Sequence, residues 1–128
     1  MSPSCRKIRL ATADDFVALG LELPSWCTRW GGWVWPADGP VTAVGAICWD
    51  RQGWAVCFFS ATERPPAIVM HRLALRAVAW LRTTDAPRIL TVPDETQPRA
   101  AEWLRRLGFQ PTETIIPGYD AVLWEMMK

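Results

Sequence analysis

Histidine occurs once in these 128 residues, at His71, and lysine only twice, at Lys7 and Lys128. The four cysteines, Cys5, Cys27, Cys48 and Cys57, fall in no CxxC pair and no Cys/His ligand spacing, so no metal site is expected. An excess of charge is missing as well. Fourteen Lys and Arg stand against thirteen Asp and Glu, a formal +1. That balance excludes the broad basic footprint of a duplex-binding protein, and no nucleic-acid partner is expected. No apolar run of about eighteen residues occurs, so no membrane span is expected. The opening residues hold no apolar signal region, and the chain is expected to be cytoplasmic.

Half the residues are hydrophobic and 21% are charged, which is ordinary globular usage. A chain of this length reads as one domain, 1–128, able to bury roughly two-thirds of its unfolded surface without staples. Tryptophan is the outlying residue: there are nine, four of them at Trp26, Trp30, Trp33 and Trp35 beside Gly31 and Gly32. Indoles bury large apolar rings while the N–H seeks a partner, so such a cluster reads as core, ligand platform or interface. Cys48 and Cys57 sit in apolar runs and read as small buried hydrophobes. A Cys/His nucleophilic pair using His71 stays open, because its members need to meet only in space.

Strand and helix signals alternate along the chain. Lys7 to Leu10 reads as a short strand. Thr12 is an N-cap candidate, and Asp14 and Asp15 suit the positive end of a helix carrying Phe16, Val17, Leu19 and Leu21, which Pro24 either ends or follows with a turn. Trp33 to Trp35 reads as a strand before the turn Pro36-Ala37-Asp38-Gly39-Pro40. Val41 to Trp49 and Trp54 to Phe59 are apolar runs flanking Asp50-Arg51-Gln52-Gly53, the pattern of a hairpin that completes a three-stranded meander. Pro66 suits the first turn of a long helix, Ala67 to Arg82, with Ile68, Val69, Leu73, Ala77, Trp80 and Leu81 at helical spacing. Arg88 to Val92 reads as a strand. Pro98 to Leu107 reads as an amphipathic helix, with Gly108 at its left-handed end. Thr112 to Ile116 and Ala121 to Met126 close the chain as two strands. The class is α/β (α+β), in the order β-α-β-β-β-α-β-α-β-β.

That order resembles the GNAT (GCN5-related N-acetyltransferase) superfamily. The opening Ile8-Arg-Leu-Ala-Thr-Ala-Asp-Asp15 is similar to the family's strand-then-aspartate beginning. Gln97-Pro-Arg-Ala-Ala-Glu-Trp-Leu-Arg-Arg-Leu-Gly-Phe109 is similar to its late helix, with Ala100, Trp103, Gly108 and Phe109 at the family spacing. The resemblance implies a mixed, mainly antiparallel sheet flanked by helices, splayed where the third meander strand meets Arg88 to Val92. It also implies acetyl-CoA or another acyl-CoA as cofactor and an amine as acceptor.

Three positions depart from the family pattern. The family's glycine-rich pyrophosphate loop corresponds to Thr62-Glu63-Arg64-Pro65-Pro66-Ala67-Ile68, which has no glycine and two prolines without N–H donors. Leu104 stands where many members place a tyrosine acid, and Gln97 replaces the usual asparagine. Arg64 and Gln97 are what remains for binding a cofactor. Glu63 is a candidate base for the acceptor amine, and Tyr119, the only tyrosine, a candidate acid for the leaving thiolate. The structural alternatives are a loop charge and a turn aromatic.

Within the superfamily the chain is most similar to short GNAT-like proteins of tailed bacteriophages, some of them virion-associated. This likeness rests on Ala43 to Asp50, Gly53 to Phe59, and Leu104. Two classes of function therefore stay open: an N-acyltransferase that uses acetyl-CoA or another acyl-CoA, and a non-catalytic virion, binding or assembly protein on the same fold that has lost the cofactor site. Trp26, Trp30 and Trp33 are the candidate contact surface for a protein partner or acceptor, and at least one of them is expected to be exposed.

Overall fold

The computed structural model describes residues 7–93, 99–116 and 121–126. Among these, seven strands and three helices follow one another as β1 (Arg9–Leu10), α1 (Ala13–Ala18), β2 (Arg29–Trp35), β3 (Ala43–Trp49), β4 (Ala55–Ala61), α2 (Ala67–Leu81), β5 (Ile89–Thr91), α3 (Ala100–Leu107), β6 (Phe109–Ile116) and β7 (Ala121–Met126). This is the order expected from the sequence. The strands form one sheet, ordered β1-β2-β3-β4-β5-β7-β6. Every pairing is antiparallel except β4 with β5, which is parallel because α2 carries the chain back between them.

The long apolar run of β3 has a simple cause: all seven of its residues are buried. On one face α2 packs so closely that a Cβ added at Gly45 would stand 3.5 Å from Leu73 Cβ. On the other, Val44 and Ala46 join Phe16, Leu19 and Val34 beneath α1. A strand covered on both faces needs no polar alternation. The hairpin from β3 to β4 turns on Asp50, whose Oδ1 accepts from the N–H groups of Gln52 (2.8 Å) and Trp54 (2.9 Å), while Gly53 supplies φ 81.

The main core lies between the sheet and the two longer helices, where Ala77, Val78 and Leu81 of α2 meet Leu104 and Leu107 of α3 over Ile47, Trp49 and Ile89. Gly108, at φ 101, ends α3 in the left-handed conformation. At the other end of the chain, Asp15 Oδ2 accepts the Thr12 N–H at 2.7 Å, so the N-terminus of α1 is closed by its own third residue.

Several details differ from the sequence reading. Helix α1 stops at Ala18, before Leu19 and Leu21, because Gly20 turns the chain at φ 71; Pro24 instead opens a turn, its carbonyl accepting from the Cys27 N–H at 3.0 Å. Strand β2 is longer than Trp33–Trp35, and β6 starts at Phe109 rather than Thr112. Ile68, counted with the apolar face of α2, is half exposed; in this first turn it is Val69 that packs with Trp35 and Ala43 of the sheet. Cys57 is half-buried rather than fully buried. No helix among the described residues is long and apolar enough to cross a membrane.

Candidate functional site

The two parallel strands part company early. β4 and β5 share three rungs, Ala55 with Ile89, Val56 with Leu90, and Cys57 with Thr91. Beyond Cys57, β4 continues through Phe58, Phe59, Ser60 and Ala61, whereas β5 ends at Thr91. The last rung is closed by a side chain: Thr91 Oγ1 donates to the Cys57 carbonyl at 2.9 Å. Thr91 is itself buried, so this hydroxyl sits where its hydrogen bond is well shielded from water. Past that point the β5-facing edge of β4 has no strand partner among the described residues. A fork of this kind offers peptide N–H and C=O groups to an extended ligand.

At the mouth of the fork the chain runs through Thr62–Pro66 into α2. The Thr62 N–H donates to the Thr42 carbonyl at 2.8 Å, tying the start of this loop to the meander. Glu63 and Arg64 are both exposed, and Pro65 is buried. Pro66 caps α2, and its carbonyl accepts from the Val69 and Met70 N–H groups at 2.9 and 3.2 Å. The peptide N–H groups of Ala67 and Ile68 are left at the positive end of a fifteen-residue helix. The two prolines before them contribute no donors.

The candidate residues thus divide. Glu63 and Arg64 stand on one loop beside the fork. Tyr119 and Gln97 lie outside the described residues. Leu104, at the position where the resemblance expects a tyrosine, is buried in the main core. His71 is exposed on the surface of α2. The thiols of Cys48 and Cys57 are both pushed up to about 12, chiefly by burial, which keeps them protonated near neutral pH and removes them as nucleophiles for a pair with His71.

The tryptophan-rich segment splits residue by residue. Trp30 meets Phe16 edge-on at 4.8 Å between centroids, and Phe16 in turn lies 6.4 Å from Phe58 of β4, so this aromatic line reaches the α1 side of the fork. Trp33 meets Trp80 at 5.6 Å on the α2 side. Trp35 is buried, with its indole Nε1 unpartnered among the described residues. Trp26 alone of these is substantially exposed, at 41%, as the sequence reading required of at least one.

Two groupings were missed by sequence reasoning. The Thr91–Cys57 rung carried no sequence signal beyond a polar residue ending a short apolar strand. Arg29 stacks over Trp49 at 4.6 Å and Trp80 at 5.5 Å; an arginine opening a tryptophan-rich strand was its only trace.

No protein-family model matches the sequence, and none of the curated protein sequences compared with it does either. Solved structures do. An acetyltransferase from Streptococcus agalactiae 2603 matches with TM-score 0.68 at 15% identity, over 95% of this chain and 98% of its own. An acetyltransferase from Bacillus subtilis, solved in complex with CoA, matches with TM-score 0.66 at 15% identity, over 96% and 99%. An N-acetyltransferase from Staphylococcus aureus Mu50 matches with TM-score 0.62 at 12% identity, over 93% of each chain. The mixed seven-stranded sheet with its flanking helices is therefore a GNAT-like α/β fold, shared over nearly the whole chain with these acetyltransferases.

Proposed function

We propose that the fork between β4 and β5 is an acyl-CoA site of reduced affinity, at which an acyl group passes to an amine. The observation that carries this reading is the parting of two parallel strands at Cys57–Thr91, directly before the N-terminus of α2. The strand edge of Phe58–Ala61 suits the amide-rich arm of the cofactor. The helix N-terminus suits the pyrophosphate, with Arg64 as its cation. CoA bound to the Bacillus subtilis structure supports the choice of cofactor.

The loop explains why the affinity is reduced. A glycine-rich cradle surrounds an anion with backbone N–H groups, whereas Pro65 and Pro66 withdraw two of them and Glu63 adds a negative charge. Two peptide N–H groups and one arginine remain.

The chemistry is addition and elimination at a thioester. The neutral amine attacks the carbonyl carbon, the C–S bond breaks, and the acyl group stays on nitrogen. A proton leaves the amine and another reaches the thiolate. Glu63 is assigned as the base and Tyr119 as the acid, with Gln97 as a further cofactor contact. The position of Leu104 inside the core supports looking elsewhere than α3 for the acid.

A second reading is a non-catalytic binding protein on the same fold. The two prolines of the loop and the exposure of Trp26 favour it, with Trp26, Trp30 and Trp33 as the partner surface. Its virion-associated form rests only on the sequence likeness of β3, β4 and Leu104. Acetyl-CoA titration combined with free-thiol release in the presence of a panel of amines separates the readings. The acyltransferase reading expects binding and amine-dependent thiol release; the second expects neither.

A further inference from the structure

At the end of the sheet away from the fork, Arg29 of β2 faces Trp49 directly across the β2–β3 ladder. The guanidinium lies over the Trp49 ring at 4.6 Å and over Trp80 of α2 at 5.5 Å, and the two indoles meet edge-on at 4.9 Å. Trp80 is held from behind as well. A Cβ at Gly31 would collide with the far edge of its ring, so this strand position is kept bare for the indole. Stacking fixes the plane of the guanidinium, and among the described residues Arg29 has neither a carboxylate partner nor a side-chain hydrogen bond for its N–H edge.

That edge borders an open cavity of about 600 Å³, lined also by Gln52, Thr83 and Asp85. The opposite wall has the reverse polarity. It is built where α2 ends, and Thr83 Oγ1 donates back to the Trp80 carbonyl at 2.7 Å, so the proton of this hydroxyl is already used and the oxygen is left as an acceptor. Helix C-termini carry partial negative charge, and Asp85 adds a full one. Asp85 is exposed, and it pairs neither with Arg29 nor with any other cation among the described residues.

The two walls decide the ligand class. A simple anion would gain Arg29 but meet Asp85 and the end of α2. A simple cation would gain the second wall but meet Arg29. A ligand carrying both charges a few bonds apart satisfies both. We infer that this cavity is a binding site for a small zwitterion of the α-amino-acid type, its carboxylate on the Arg29 fork, its ammonium toward Asp85, and an apolar side chain against the indoles. The site is remote from Arg64 and the fork and does not depend on acyl transfer.

The probe is L-leucine, followed through the indole N–H resonances of Trp49 and Trp80 in the full chain. Two analogues each lack one charge: N-acetyl-L-leucine has no ammonium, and L-leucinamide has no carboxylate. L-leucine is expected to shift both resonances saturably, and each analogue to bind about tenfold more weakly or worse. Arg29→Gln should erase the difference between L-leucine and L-leucinamide, and Asp85→Asn the difference between L-leucine and N-acetyl-L-leucine. Both side chains are exposed, and the analogue comparison needs no substitution at all. An analogue that matches L-leucine on the unmodified chain overturns the proposal, as does a failure of L-leucine to shift these resonances saturably.

Discussion

Thr91 Oγ1 donates to the carbonyl of Cys57 at 2.9 Å, and this bond stands on the last rung that β4 and β5 share. It is a buried hydroxyl acting as a stop: behind it the sheet is continuous, and ahead of it the strands separate. Replacing it with valine keeps the shape and removes the donor. Thr91→Val is expected to lower stability by about 1 kcal/mol, seen as a lower urea midpoint with an unchanged slope. An unchanged midpoint would show that the rung is held by the backbone alone.

Asp15 gives the fold a pH dependence of definite sign. The Arg9 guanidinium, with both its terminal nitrogens on the carboxylate at 2.7 and 2.8 Å, and the Thr12 N–H together hold Asp15 at about 2. Its folded value lies below its unfolded one, so the contribution is complete above the ordinary carboxylate range. It is lost as pH falls from about 4 to about 2. Because Arg9 is more than a third exposed, solvent reduces the effect to roughly 1–2 kcal/mol. Urea midpoints of the parent and Asp15→Asn should differ at pH 6 and converge near pH 2. A gap that persists at pH 2 would assign it to packing instead.

Gly31 and Gly32 are expected to respond differently to the same methyl group. At Gly31 the obstacle is the far edge of the Trp80 ring, and at Gly32 it is backbone, with the Gly45 carbonyl oxygen 2.7 Å from the added Cβ. A side chain can tilt, whereas a strand must move. Gly31→Ala should cost roughly 1–3 kcal/mol, and Gly32→Ala should cost more. Thermal unfolding of the two variants gives the order, and Gly31→Ala proving the more damaging would contradict it.

These glycines also show why β2 was read too short. Glycine is depleted in strands, so Gly31-Gly32 hid the first half of a strand that in fact needs bare backbone on both sides. Pro111 similarly masked the start of β6. A proline is tolerated there because β6 is the last strand of the sheet, with only β7 beside it. The order of elements was legible because β3 is an unbroken apolar run between turn signals, and α2 and α3 carry the helical period strongly. The position of Thr62–Pro66 between β4 and α2 followed from that order. The Thr91–Cys57 bond was not legible, since its partners are 34 residues apart, and neither was the stack of Arg29 on Trp49 and Trp80. Such contacts exist only once strand register is set.

Trp26 and Trp30 separate surface from core within one segment. Trp30→Ala removes the edge-on contact with Phe16 and is expected to cost about 2–4 kcal/mol, while Trp26→Ala should stay within about 0.5 kcal/mol. If Trp26 is a contact residue, its substitution abolishes partner or acceptor binding with the urea midpoint unmoved. Equal destabilisation by the two substitutions would make both of them packing residues.

Calorimetric titration of acetyl-CoA into the full chain and into Arg64→Ala bears on the proposed cofactor site without intermediaries. With two peptide N–H groups and one arginine left for the pyrophosphate, the parent should bind saturably with Kd on the order of 0.1–1 mM, or about −4 to −5.5 kcal/mol. Arg64→Ala should remove that heat. Micromolar binding that survives Arg64→Ala would contradict the assignment of the loop, and the absence of any binding to the parent would contradict an acyl-CoA site at the fork.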